Sequence, residues 1–203
     1  MKLRVVVTTF LLLPFMLTTV YATTQSAEEV VRSILDQVIE QLRPERGDLE
    51  VHPEHTFELI QDHVVPHFDF PIMSRWILGI NWIKASQEQR QAFINEFKTL
   101  MVCTYAKTLI DYSVKEIRYL PVQTDPISNL AMVKIEIWAD GSANAIPINY
   151  KMHISSGEWK VIDITVDGIS LVRSYRGLFA SKIRKNGLDS LITQVDGTQL
   201  QTC

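Results

Sequence analysis

Apolar residues recur at helical spacing in the first half of the chain, at a spacing of two further on, and at helical spacing again near the end. Val30, Val31, Ile34, Leu35, Val38 and Leu42 form one helical stripe. Ser26 with Glu29 supplies a capping box at its start, and Pro44-Glu45-Arg46-Gly47 a stop, so a helix is predicted over 26–43. A second helix is expected from Pro53, whose missing amide costs nothing in a first turn, to Val65, where Pro66 ends it. Asp69 is placed to cap a short helix through Ile77. Ser86 with Gln89 is a second capping box. Behind it Phe93, Phe97, Leu100, Met101, Tyr105 and Leu109 fall on one face of a helix about twenty-five residues long.

The period then changes to two. Val114–Leu120, Ala131–Trp138, Ala145–Ile154 and Glu158–Val166 read as strands. In the third of these Ile146, Ile148, Tyr150, Met152 and Ile154 face one way, and Pro147, Asn149, Lys151 and His153 the other. Asp140-Gly141 and Ser156-Gly157 mark turns. Short connections imply an antiparallel meander, solvated on one face and covered on the other. Ser170–Lys185 returns to helix with Asn186-Gly187 at its end, and Leu188–Val195 is a short last helix. Helices, then a curved antiparallel sheet of about four strands, then helices give an α+β fold.

The ends set the domain organisation. Lys2 and Arg4, the apolar stretch Val5–Val20, and small residues at Val20 and Ala22 describe a leader over 1–22, cleaved before Thr23. One domain is expected over 23–195, followed by a flexible polar tail over 196–203. The net charge of −3 becomes more negative once Lys2 and Arg4 are removed, which argues against nucleic acid as a partner. A local basic cluster remains at Arg173, Arg176, Lys182, Arg184 and Lys185. Cys103 and Cys203 are the only cysteines, and an exported chain permits a bridge between them or two separate thiols.

Candidate chemistry is sparse. His52, His55, His63 and His67 are close in sequence, but Pro66 interrupts the turn that would join His63 to His67, and no ligand set is completed. Asp69, Asp111, Asp163 and Asp167, with Tyr105 or Tyr150, are the candidates for an isomerase-like carboxylate and donor. Turn and cap roles account for Asp69 and Asp167, and Asp163 falls in the strand alternation. No nucleophile elbow, zinc helix or phosphate loop is present. No catalytic residue, metal or cofactor is assigned.

Two blocks carry a family likeness. The first comprises Pro66-His67-Phe68-Asp69-Phe70, Leu78-Gly79 with Trp82, Gln89-Arg90 with Phe93 and Phe97, and Thr104-Tyr105-Ala106. The second comprises Trp159-Lys160-Val161-Ile162-Asp163, Val166-Asp167-Gly168-Ile169-Ser170-Leu171-Val172, then Tyr175-Arg176 and Phe179. Together they resemble the MlaC or toluene-tolerance family of periplasmic phospholipid-binding proteins, from about Ala27 to Gln194 in order. The resemblance implies a sheet roll of the nuclear-transport-factor and ketosteroid-isomerase type, with helices closing an apolar cavity. It also implies residence in the periplasm and a shuttle of phospholipid, which maintains outer-membrane asymmetry. The implied partners are an outer-membrane lipoprotein–porin complex and the substrate-binding component of an inner-membrane ABC transporter.

Four Trp, eight Phe and six Tyr supply the apolar excess on which a lipid-binding reading rests, and some of them must fill the core. Strand parity places Ile137, Ile148, Tyr150, Met152, Trp159 and Val161 on the covered face as a lipid-binding wall. Helical faces place Tyr105 and Leu109 on the opposite wall and Leu171, Val172 and Tyr175 at the mouth. Arg173, Arg176, Lys182 and Arg184 are the expected partner-docking residues. A periplasmic protein-binding scaffold without lipid, and a small-molecule isomerase of the same fold, are the alternatives from other classes.

Overall fold

The capping signals organise the helices of the computed structural model, which describes residues 25–42, 53–111, 114–125, 127–139 and 141–202. The leader expected over 1–22, His52 and Cys203 lie outside the described residues. Helix α1 spans Ala27–Leu42. Its Ser26 hydroxyl accepts from the Glu29 amide at 3.2 Å, while Glu29 accepts from the Ser26 amide at 2.7 Å. Helix α2 (Pro53–His63) and a 3-10 turn (Val65–His67) lead to α3 (Phe70–Leu78). Gly79, at φ 54°, separates α3 from α4 (Ile80–Lys84). Helix α5 (Gln87–Asp111) opens on the second reciprocal box: Ser86 Oγ accepts from the Gln89 amide at 3.2 Å, and Gln89 Oε1 from the Ser86 amide at 3.0 Å.

The strands are β1 (Val114–Tyr119), β2 (Gln123–Asp125), β3 (Leu130–Ala139), β4 (Ile146–Ser155), β5 (Glu158–Val166) and β6 (Ile169–Ser170). Among the described residues they form one antiparallel sheet ordered β1-β3-β4-β5-β6, with β2 also on β3. Strands β2 and β6 extend the expected meander; at three and two residues they are too short for a period to register. Ser156-Gly157 and Asp167-Gly168 join β4–β5 and β5–β6, all four residues at positive φ, as tight two-residue hairpins require.

The last helices are α6 (Leu171–Asn186), capped by the Ser170 hydroxyl on the Arg173 amide at 3.1 Å, and α7 (Leu188–Thr202). The latter packs against α5, and its helical backbone runs on to Thr202, through most of the stretch expected to be a flexible tail. Cys103, buried in α5, is disulfide-bonded.

Two apolar clusters result. In the sheet cluster, Val30, Val31, Ile34 and Val38 of α1 pack on Ala131, Val133, Ile135, Met152 and Val161. In the helical cluster, α3, α5, α6 and α7 meet through Phe70, Met73, Ile77, Phe93, Phe97, Val172, Phe179 and Leu191. Phe68 packs against both. Its backbone pairs with Val161 at the edge of β5 that β6 leaves free, and the Asp69 amide donates to the Val161 carbonyl at 2.9 Å.

The second face of the sheet differs from the solvated surface expected of a meander. Helices α3 and α6 lie against β5. On that side Lys151 sits over the Trp76 ring at 5.1 Å, and Asp163 bonds the Ser170 hydroxyl at 2.6 Å and the Val172 amide at 3.1 Å. Asp69 joins the same layer. It caps α3 through the Ile72 amide at 3.0 Å and holds His153 Nε2 at 2.8 Å. Asp69→Ala removes cap and pair together and is expected to cost about 1–2 kcal/mol, read as a shifted urea midpoint.

Candidate functional site

The candidate lipid-binding residues fall into the two clusters. Ile137, Ile148, Tyr150, Met152, Trp159 and Val161 do share the covered face of the sheet. The register places Ile148 opposite Ile135, Tyr150 opposite Val133 and Met152 opposite both Ala131 and Val161. Their opposite wall is α1, with Leu59 and Val64 at the α2 end. Tyr105, Leu171, Val172 and Tyr175 belong to the helical cluster instead. The side chain of Leu109 lies outside the described ones.

Burial sorts the sheet-face residues. Met152 and Val161 are completely buried and serve as core. Ile137, Ile148, Tyr150, Trp159 and Ile164 keep part of their surface accessible. Tyr150 is the informative one. It lies deep enough that burial pushes its phenol well above the ordinary range, with the nearby Tyr119 phenol adding to the rise. A side chain this deep that keeps accessible surface is a candidate for the lining of an apolar binding site.

The polar candidates take structural roles. Asp69 and Asp163 cap helices, and Asp167 occupies a hairpin turn at φ 48°. The side chain of Asp111 is not among those described. Burial, then the Lys160 charge, depresses His67. Among the described residues no group of three or more His, Cys, Asp or Glu side chains is placed to hold a metal ion. The side chain of His55 lies outside those described.

Of the basic residues of α6, Arg176 reaches the joint between α3 and α4. Arg173, Arg176 and Arg184 are exposed and Lys182 is half-buried. A Cβ on Gly79 would lie 3.2 Å from the Arg176 guanidinium, so this cation covers the joint between α3 and α4. On α4, Ile80 and Ile83 are 63% and 72% exposed, and no acidic residue occurs from Phe70 to Gln87 or from Leu171 to Leu188.

The family model described as MlaC protein matches residues 32–196. The chain belongs to the MlaC family. It is 28% identical over 188 residues to the toluene tolerance protein ttg2D of Pseudomonas putida, covering 92% of this chain and 85% of that protein. It is 23% identical over 195 residues to the intermembrane phospholipid transport system binding protein MlaC of Haemophilus influenzae, covering 95% and 91%. A solved phospholipid-binding protein of Ralstonia solanacearum, in complex with a phospholipid, superposes with a TM-score of 0.77 at 26% identity. That match covers 88% of this chain and 99% of the other.

Within this MlaC fold, sequence reasoning did not assign α1 as the helix that covers this sheet face. Its stripe of Ile34, Leu35 and Val38 was visible, but a stripe does not name its partner. Tyr119 of β1 was also missed, although it lies on the same face, in register with Ile135.

The buried phenols set an alkaline limit on stability. Burial, the neighbouring Tyr175 and a hydrogen bond with it push Tyr105 up to about 12, and burial also raises Tyr119 and Tyr150. Unfolded tyrosines ionise near pH 10, so above that pH the unfolded state releases protons that the folded state keeps. The contribution is intact below about pH 10 and is lost as pH rises towards 12. Urea midpoints should therefore fall as pH rises from about 10 towards 12. In an absorbance titration these three phenols should stay silent at pH 10 until the protein unfolds.

Proposed function

We propose that this chain is a periplasmic phospholipid carrier. It holds acyl chains between α1 and the accessible part of the sheet face, centred on Tyr150. It shuttles lipid between an outer-membrane lipoprotein–porin complex and the substrate-binding component of an inner-membrane ABC transporter, which maintains the lipid asymmetry of the outer membrane. The observation that carries this reading is the family match, joined to a relative of the same fold in complex with a phospholipid. The deep, accessible apolar face agrees with it.

The physical task is to lower a solvation cost. Exposed acyl chains cost about 0.8 kcal/mol per methylene, or on the order of 20 kcal/mol for two long chains. A protein gap that excludes water removes most of this. Membrane and carrier then become nearly equal environments, so direction comes from the partners rather than from the carrier. No reaction is needed, and no cofactor beyond the cargo itself. Partner docking is assigned to Arg173, Arg176, Lys182 and Arg184, extended by the exposed Ile80 and Ile83 of α4, whose first residue follows the Gly79 joint that Arg176 covers.

The test is native mass spectrometry of protein exported to a bacterial periplasm and purified without detergent. A mass excess that denaturation releases as phospholipid is the expected result. A bare polypeptide mass with no lipid in the extract would overturn the carrier reading in favour of a lipid-free scaffold.

A further inference from the structure

Among the described residues three buried side-chain oxygens have no hydrogen-bond partner: Thr56 Oγ1, Ser74 Oγ and the Tyr119 hydroxyl. Ser74 lies on α3 and Thr56 on α2, both almost fully buried. Tyr119 differs because it stands on the sheet face that carries the candidate site. It pairs with Ile135, which pairs in turn with Ile148, and Tyr150 lies diagonally across β3 on the same face. The Arg32 guanidinium lies 3.7 Å from the centre of the Tyr119 ring and is bonded to Glu28 at 2.8 Å. The ring is thus held by α1, while its hydroxyl is shielded from water with nothing to bond.

An unpaired buried hydroxyl is costly, and phenylalanine would fill the same space without that cost. A hydroxyl kept there despite the cost has a use when a partner arrives. The geometry points to the Tyr119 hydroxyl as the donor to an ester carbonyl of the bound phospholipid, so that the α1–β1 corner receives the glycerol end of the cargo. The inference rests on the carrier reading. Ester carbonyls are the polar atoms next to the acyl chains, and so are the acceptors that a donor set in an apolar wall would meet. They are also neutral. Burial, with Asp36 and Glu28 against Arg32, holds the Tyr119 phenol protonated as a donor. The same two carboxylates oppose a phosphate or a free fatty-acid carboxylate at this corner, and Arg32 is already engaged by Glu28.

The experiment compares two phospholipids with the same headgroup and chain length, one diacyl with ester links and one dialkyl with ether links. Each is loaded onto the delipidated protein, and its release to acceptor vesicles is timed. The wild type should release the diether about two- to tenfold faster, the span of one net hydrogen bond. Tyr119→Phe should release both at the faster rate, with a thermal midpoint in the delipidated state no lower than wild type. Equal release of the two lipids by the wild type overturns the inference and leaves the carrier reading standing. A preference that survives in Tyr119→Phe also overturns it, since another group then reads the ester. If the wild type holds neither lipid, the carrier reading fails and this inference with it. The two-lipid comparison on the wild type stands even if the variant does not fold.

Discussion

Tyr150→Glu is expected to leave a folded protein that carries less than about a tenth of the wild-type phospholipid, a loss equivalent to at least ~1.4 kcal/mol of retention. Tyr150 faces Val133 on one side and Ile164 on the other, both on the covered face of the sheet. Val133 is completely buried, while Tyr150 keeps part of its surface accessible to a guest. A carboxylate here must either stay ionised next to acyl chains, at a cost of several kcal/mol, or take up a proton and keep a polar group against hydrocarbon. Both penalties fall on the loaded state, because in the empty protein water can reach the site and solvate the acid. Tyr150→Phe keeps the ring and should retain lipid. Phosphorus per protein chain after detergent-free purification reads the difference. A natively folded Tyr150→Glu protein with wild-type phosphorus would move the site elsewhere. Met152 is a poorer probe than strand parity alone suggests. It is completely buried between Ala131 and Val161, so a charge there tests folding before it tests binding.

That contrast shows which parts of the molecule were legible in the sequence. Local rules were. Ser26 with Glu29, and Ser86 with Gln89, make the reciprocal bonds that the spacing predicts, because a capping box involves only its own turn. The alternation through β4 sorts Ile148, Tyr150 and Met152 to one face because the pleat leaves no other choice. Partner choice between distant elements was not legible. Helical faces place Tyr105 and Tyr175 at the candidate site, whereas they pack against the helical cluster, and α1 covers the sheet face where α5 was expected. The second face of the sheet was likewise hidden. Its cover depends on Phe68 docking at the free edge of β5, and on Asp69 and Asp163 meeting His153 and the start of α6. The Phe68 and Asp69 contacts span distant parts of the chain, the Asp163 contacts cross from strand to helix, and none of them leaves a periodic trace.

Phe97→Ala is expected to be the more damaging change to the fold. Phe97 is completely buried on α5. Its ring lies 6.2 Å from Phe70 of α3, 5.9 Å from Phe93 and 5.4 Å from Tyr175 of α6. One side chain therefore ties three helices, and two of them, α3 and α6, also cover the sheet. Truncation loses the transfer energy of the ring and leaves a cavity that three separately anchored helices cannot close. The cost should be about 3–5 kcal/mol. A domain of this size holds about 5–15 kcal/mol in all, so the thermal midpoint should fall by roughly 10 °C. Neither Phe97 nor its aromatic neighbours belong to the sheet cluster, so the fraction that remains folded should retain lipid per chain. The two variants thus separate the clusters: Tyr150→Glu empties a stable protein, and Phe97→Ala weakens a loaded one. A Phe97→Ala protein with an unchanged midpoint would mean that the helical layer repacks freely. A stable but lipid-free one would mean that the helical cluster, rather than the α1 wall, encloses the cargo.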